Sequence, residues 1–195
     1  LGDDEVRTHV LEAFEESTAE ALAYLEPVAS STRGASRAAV LDQEGKPILD
    51  EDGCPRHRVE TWPIRTRGYV SAWFTEFTSR ADDPQLHAHV VIGNRVQGVD
   101  EVWRAIDGRL LYRHKLAAGY LHEAELRSRL TERLGVNWQH VRNGIADIEG
   151  FTRDQIMAFS QRRQEIEAWR DSRNLPDPAA ANEVATLATR GPKQD

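Results

Sequence analysis

The sequence predicts an α+β fold built on antiparallel strands. Three observations predict it. Apolar residues recur at helical spacing near the start, in the middle and late in the chain. A block of β-branched and aromatic segments lies between the first two of these. Helical and extended stretches are grouped rather than alternating one for one, which argues against a parallel β-α-β sheet.

From Asp3 to about Tyr24, Val6, Val10, Phe14, Ala21 and Leu25 recur every three to four residues, the period of a half-buried helix. Asp3, Asp4 and Glu5 occupy its first turn, where the helix dipole favours negative charge, and Pro27 follows as a stop. Ser30 to Ser36 is polar and reads as a flexible connection. Two extended runs, Arg37–Leu41 and Arg56–Trp62, are separated by the turn formers of Asp42–Pro47 and Asp50–Gly53. Together they read as an exposed hairpin-like insertion. The strongest strands are Gly68–Ser79 and Leu86–Gln97, joined by Arg80–Gln85 with Asp83-Pro84 as the turn. Their short link makes an antiparallel pair. Trp103–Ile106 is one more short strand. A long helix runs from about Leu111 to Leu134, with Leu116, Tyr120, Ala124, Leu126 and Leu130 on its buried side and Gly135 as its stop. Asn137–Glu149 reads as a hairpin around Asn143-Gly144. Thr152 and Gln155 have the spacing of a capping box and open a third helix with Ile156, Phe159, Ile166 and Trp169 on one stripe. Residues 1–173 are expected to form one domain. Residues 174–195, with Pro176, Pro178, an alanine run and Gly191-Pro192, read as a flexible tail.

The chain has 195 residues, 39% hydrophobic and 29% charged, which suits one domain or most of a larger one. No apolar run is long enough to span a bilayer, and the acidic start is unlike a signal peptide. Cys54 is the single cysteine, so no internal disulfide is available and a reducing, cytoplasmic home is expected. The single methionine is Met157, and the chain therefore reads as an excised or processed piece. A net charge of −7 disfavours a general polyanion binder, unless cations are gathered locally.

Chemistry concentrates at His87-Ala88-His89. Side chains two apart on a strand point the same way, about 6.5–7 Å apart, a span across which two imidazoles grip one cation. Ala88, Val90 and Ile92 then face the other side, toward helices. The preceding strand offers Glu76 within an apolar run, costly unless something pairs with it. A His-x-His pair alone is more often a hydrogen-bonded pair than a metal site. Glu76 strengthens the metal reading, since two histidines and a carboxylate leave room for substrate on the ion. A salt bridge from Glu76 to Arg80 or another arginine is the plainer alternative.

Phe77-Thr78-Ser79-Arg80 followed by Asp83-Pro84-Gln85-Leu86-His87-Ala88-His89-Val90-Val91 resembles the TrwC/TraI-type conjugative relaxases, the MobF branch of the HUH endonucleases. The likeness continues through Trp103–Gly108, Tyr112-Arg113-His114-Lys115, Glu125-Leu126 and Ala158–Ile166, covering about Tyr69 to Trp169. It implies a central antiparallel sheet with helices on one face and a DNA cleft on the other, here incomplete at the N-terminus. It implies nicking and rejoining of one DNA strand at an origin of transfer through a tyrosyl-phosphodiester intermediate. The partner is single-stranded DNA there, with conjugation accessory proteins as further partners and no membrane. The family's metal is held by three histidines, of which His87 and His89 match two. Glu76 stands where the third would be, a departure that shifts preference toward Mg²⁺ or Mn²⁺, with Zn²⁺ as the alternative. The family's catalytic tyrosines lie near its N-terminus. Tyr24, Tyr69, Tyr112 and Tyr120 do not match that context and read as structural, so this chain alone is not expected to cleave.

Arg104, Arg109, Arg113 and Lys115 cluster in the sequence with few acids between them, and Arg162 and Arg163 form a second basic pair. With Arg80 close to the metal ligands and Trp103 as a stacking surface, these are the expected DNA contacts. Two other readings compete: a non-catalytic DNA-binding remnant or assembly module, and an unrelated metal hydrolase using the same three ligands.

Overall fold

The computed structural model describes residues 2–79, 81–173 and 178–189. In chain order the elements are α1 (Asp3–Ala29), β1 (Ser31–Ala39), β2 (His57–Arg65), β3 (Ser71–Thr78), β4 (Pro84–Ile92), β5 (Val96–Gln97), β6 (Trp103–Arg104), α2 (Gly108–Leu134), α3 (Arg153–Ala158), α4 (Gln161–Asp171) and α5 (Pro178–Ala188). The α+β class holds. The described strands form three two-stranded pairs, β1–β2, β3–β4 and β5–β6, rather than one continuous sheet. Two compact units divide the chain: Leu1–Ala72 with Val90–Val136 and Arg142–Ile145, and Trp73–His89 with Asn137–Val141 and Ala146–Asp195. No described helix is long and apolar enough to cross a membrane.

In the first unit α1 packs along α2. α1 buries Ala13, Phe14, Ser17 and Thr18, and α2 buries Ala118 and Leu130. The Phe14 ring meets the edge of His122 at 5.2 Å, and burial pulls the His122 imidazole below its ordinary value. Arg129 and Arg133 of α2 reach Glu12, Glu16 and Glu20 of α1. Hydrogen bonds from the two arginines hold the Glu16 carboxyl below the usual range, Arg133 contributing most. Of the stripe expected on α2, Leu130 is buried but Leu116 and Tyr120 are exposed, because α1 packs against the side bearing Ala118, His122 and Arg129. α2 is capped by Asp107, whose side chain accepts from the Arg109 N–H, and it ends at Gly135 with φ 66°.

α1 runs through Pro27 to Ala29 instead of stopping before it. Near a helix end a proline costs only one backbone bond. The connection expected to be flexible at Ser30–Ser36 is strand: all nine residues of β1 pair antiparallel with β2, from Ser31↔Arg65 to Ala39↔His57. The Trp62 ring lies over Gly34 across this ladder, where any Cβ would collide with it. Beyond β1 and β2, bridges Leu41↔Pro47 and Leu49↔Pro55 close the distal turns.

β3 and β4 are joined by residues 79–83, too few for a parallel crossover, so the pair is antiparallel. The side expected to be covered by helices is not fully covered: Val90 of β4 and Phe77 of β3 are exposed. Asn143 (φ 51°) and Gly144 (φ 78°) form the hairpin turn read from the sequence, with bridges Arg142↔Ile145 and Trp138↔Ile148. The expected third helix is two helices, α3 and α4. Thr152 and Gln155 form the capping box of α3, and non-helical backbone at Ser160 (φ −134°, ψ 54°) breaks the run. Within the expected tail α5 is a helix burying Ala181 and Ala185 and packing on α4. Residues 174–177 and 190–195 of that tail lie outside the described residues.

Candidate metal centre

β4 projects His87 and His89 from one side of the strand, and β3 projects Glu76 toward them. The Nε2 atoms of the two histidines are 3.3 Å apart. Glu76 Oε2 lies 3.5 Å from that of His87 and 3.4 Å from that of His89. The three atoms thus form a nearly equilateral triangle. A tetrahedral cation with bonds of about 2.0–2.1 Å spaces its ligands by about 3.3–3.4 Å. An octahedral one at the same bond length spaces neighbours by about 2.9–3.0 Å. The triangle has the dimensions of one tetrahedral face, leaving a fourth corner open.

A backbone contact orients one ligand. His87 Nδ1 lies 3.0 Å from the Gln85 carbonyl oxygen. A carbonyl only accepts, so the proton sits on Nδ1 and the Nε2 lone pair is free to face the triangle. His87 is the most enclosed of the three, its side chain 29% exposed against 60% for His89 and 55% for Glu76. Two neutral imidazoles and one carboxylate carry a charge of −1, a donor set that suits a divalent cation. Among the described residues this is the one group of three or more such ligands whose atoms converge.

The expected DNA-contacting residues are less uniform. Arg80 lies outside the described residues. Trp103 is 55% exposed on β6, open to stacking. Arg113 is exposed and makes no ion pair among the described residues, while Lys115 lies over the Tyr112 ring at 5.3 Å. Arg104 is clasped by Asp100 at 2.7 Å, and Arg109 by Asp107 at 2.5 Å. The expectation of few neighbouring acids thus fails for these two, because each carboxylate comes from the loop just before its arginine. The Arg109 hydrogen bond holds the Asp107 carboxyl down at about 2. Arg162 donates to the carbonyls of Thr186 and Thr189 at the end of α5, at 2.9 and 2.7 Å. Its guanidinium is occupied within the fold. Arg163 pairs with Glu167 at 2.9 Å but stays 63% exposed.

One residue was read only as a turn former. Asp83 is 5% exposed, and its Oδ2 accepts from the Arg162 backbone N–H at 3.2 Å and the Ser79 hydroxyl at 3.3 Å. It caps α4 from a distance. Its Oδ1 is buried without a partner among the described residues and borders a cleft of about 410 Å³ that also touches Gln85, Phe159 and Arg163. Nothing local in the sequence marks it, since the contact spans 79 positions.

Three of the four tyrosines make contacts within the fold, and Tyr112 is 75% exposed. Tyr24 shares a hydrogen bond with His114 Nδ1 at 2.9 Å, and Tyr69 donates to the Leu22 carbonyl at 3.2 Å. Burial raises the Tyr69 phenol above its ordinary value. The Tyr120 ring lies against Gly144.

A family model described as TrwC relaxase matches residues 55–195. The multifunctional conjugation protein TraI of Escherichia coli is 33% identical over 139 residues, covering 67% of this chain and 8% of that protein. The solved structure of TrwC complexed with a 27-mer DNA comprising the recognition hairpin and the cleavage site is similar with a TM-score of 0.71 and 27% identity, over 96% of this chain and 60% of that one. A metal-bound structure of the conjugative relaxase TrwC with OriT DNA has the same score and identity, over 96% and 58%. The chain therefore spans under a tenth of the curated relative and about three fifths of the solved domains.

Proposed function

The chain belongs to the TrwC relaxase family, and from that premise we propose that it supplies the metal- and single-stranded-DNA-binding part of a conjugative relaxase. The activity is nicking and rejoining of one strand at an origin of transfer, with a tyrosine nucleophile that none of the four tyrosines here provides. The observation that carries this reading is the triangle of Glu76, His87 and His89 with 3.3–3.5 Å edges.

Held there, a divalent cation would polarise an oxygen of the scissile phosphodiester and favour attack on phosphorus. The chain's own contribution is positioning. The Gln85 carbonyl orients the His87 ring, so its Nε2 lone pair would face a bound ion. Glu76 as a ligand would lower the net charge of the centre relative to three neutral imidazoles, which would weaken its pull on a phosphate oxygen. The dimensions favour a tetrahedral ion over Mg²⁺, although the carboxylate alone pointed to Mg²⁺ or Mn²⁺. Arg113, Lys115 and Arg163, with Trp103, are the described candidates for strand contact, and Arg80 remains one on sequence grounds. Arg162 is the weakest of the set because its donors are already used.

The test is incubation with labelled origin-of-transfer oligonucleotide and Mn²⁺, alone and with a tyrosine-bearing relaxase segment supplied in trans. A covalent protein–DNA adduct formed only on adding the segment is expected. DNA binding with no adduct in either arm would leave a binding module, and cleavage without an adduct would indicate a hydrolase.

A further inference from the structure

The three ligands of the candidate centre are not held in place by packing. Glu76 and His89 keep 55% and 60% of their side-chain surface exposed, so no tight shell fixes them. A metal site tolerates ligand errors of only about 0.5 Å. The edges of 3.5 and 3.4 Å from Glu76 to the two imidazoles cross from β3 to β4. They therefore depend on how the two strands are fixed to each other, and residues 79–83 form the link between them.

Every polar group of Ser79 is used inside that link. Its N–H donates to the Asp83 carbonyl at 2.8 Å, and its carbonyl accepts from the Asp82 N–H at 3.1 Å. Its hydroxyl oxygen accepts from the N–H groups of Ala81 and Asp83 at 3.1 and 3.2 Å. The hydroxyl proton goes to Asp83 Oδ2 at 3.3 Å. These bonds hold Asp82 at φ 57°, left-handed backbone that persists in a non-glycine residue only where its surroundings over-determine it. Asp83 Oδ2 also accepts from the Arg162 backbone N–H at 3.2 Å, in the first turn of α4. The Arg162 guanidinium donates in turn to the Thr186 and Thr189 carbonyls, so the link is anchored to both α4 and α5. Unlike the ligands, Asp83 is fixed by burial, at 5% exposed. Two residues on is Gln85, whose carbonyl orients the His87 ring, and Pro84 between them has a locked φ.

We propose that Ser79 and Asp83 are positioning residues for the metal centre: their interlocked turn, pinned to α4, holds Glu76 on β3 at ligand distance from His87 and His89 on β4. This rests on the metal-binding reading above. Neither residue is among the three converging ligands. They act through the backbone on either side, Ser79 three residues after Glu76 and Asp83 four before His87.

Calorimetric titration of the full chain with Zn²⁺ tests this, alongside the visible spectrum of its Co²⁺ complex, which reports coordination geometry. Asp83→Ala should weaken Zn²⁺ affinity about tenfold or more, the usual effect of losing a residue that orients metal ligands, and should move the Co²⁺ bands away from the wild-type pattern. Ser79→Ala, a smaller change at the same turn, should shift both readouts in the same direction if Asp83→Ala folds poorly. Asp83→Asn keeps an oxygen where Oδ2 accepts its two hydrogen bonds and puts its amide at the Oδ1 position, which has no partner among the described residues. It should recover the wild-type affinity and spectrum. Thr152→Ala removes the α3 capping box and leaves the link intact, so it should lower stability without moving either readout. Unchanged affinity and spectrum in both alanine variants of the link, an equal loss in Thr152→Ala, or no recovery in Asp83→Asn would overturn the proposal. A wild-type chain that takes up neither Zn²⁺ nor Co²⁺ would remove the metal site itself, and the proposal with it.

Discussion

Three side chains carry the centre, and each does something a neighbour in type would not. His87 is set by a main-chain carbonyl, so its ring cannot turn without losing the Gln85 contact. His89 is the more exposed imidazole, and Glu76 brings a charge where the family has a third imidazole. Replacing both histidines, His87→Ala with His89→Ala, should abolish stoichiometric uptake of Zn²⁺ or Mn²⁺ in calorimetric titration while leaving circular dichroism unchanged, because all three side chains sit at the surface of the hairpin. Full uptake by that variant would remove the site. Glu76→His should restore the three-imidazole set and raise the preference for Zn²⁺ over Mg²⁺, since imidazole suits zinc and oxygen ligands suit magnesium. An unchanged selectivity ratio would mean Glu76 does not touch the ion.

Helix ends here are secured by carboxylates from two kinds of distance. Asp107 is adjacent to α2 and caps it directly, one turn before the start at about Leu111 expected from the sequence. Asp107→Ala should cost about 1 kcal/mol, read by urea unfolding near neutral pH. The sign follows from the depressed carboxyl: a group held at about 2 contributes fully above its ordinary value near 3.8 and loses that contribution as pH falls toward 2. The gap between wild type and Asp107→Ala should therefore close in that window, and a gap that persists at the acid end would assign the loss to something other than the ionised carboxylate. Asp83 does the same for α4 from another element. The single helix expected after Thr152 is interrupted at Ser160, where the Ser160 hydroxyl bonds back to Ile156 and α4 starts afresh under the Asp83 cap.

At the level of the whole molecule, the α1–α2 pair is the largest structural investment of the first unit. Its ion pairs are surface pairs, worth about 0.2–1 kcal/mol each and screened by salt. Phe14, 3% exposed, outweighs them: Phe14→Ala should cost about 3–5 kcal/mol in denaturant unfolding, and a loss below about 1 kcal/mol would show that the helix pair does not hold the unit together. The amino-acid sequence by itself determined the α+β class, both long helices, the β3–β4 hairpin, the Asn143-Gly144 turn, the Thr152 capping box and the convergence of Glu76 with His87 and His89. All of these follow from periodicity, turn chemistry or strand parity, which act over a few residues. Tertiary structure alone decided that Ser31–Ser36 is strand rather than linker, because a polar segment becomes extended only when β2 supplies its hydrogen bonds. It also decided which stripe of α2 is buried, that Arg162 is engaged by the end of α5, and that Asp83 caps α4. Those outcomes depend on which partner lies opposite, and pairing across distant positions leaves no local pattern in the chain.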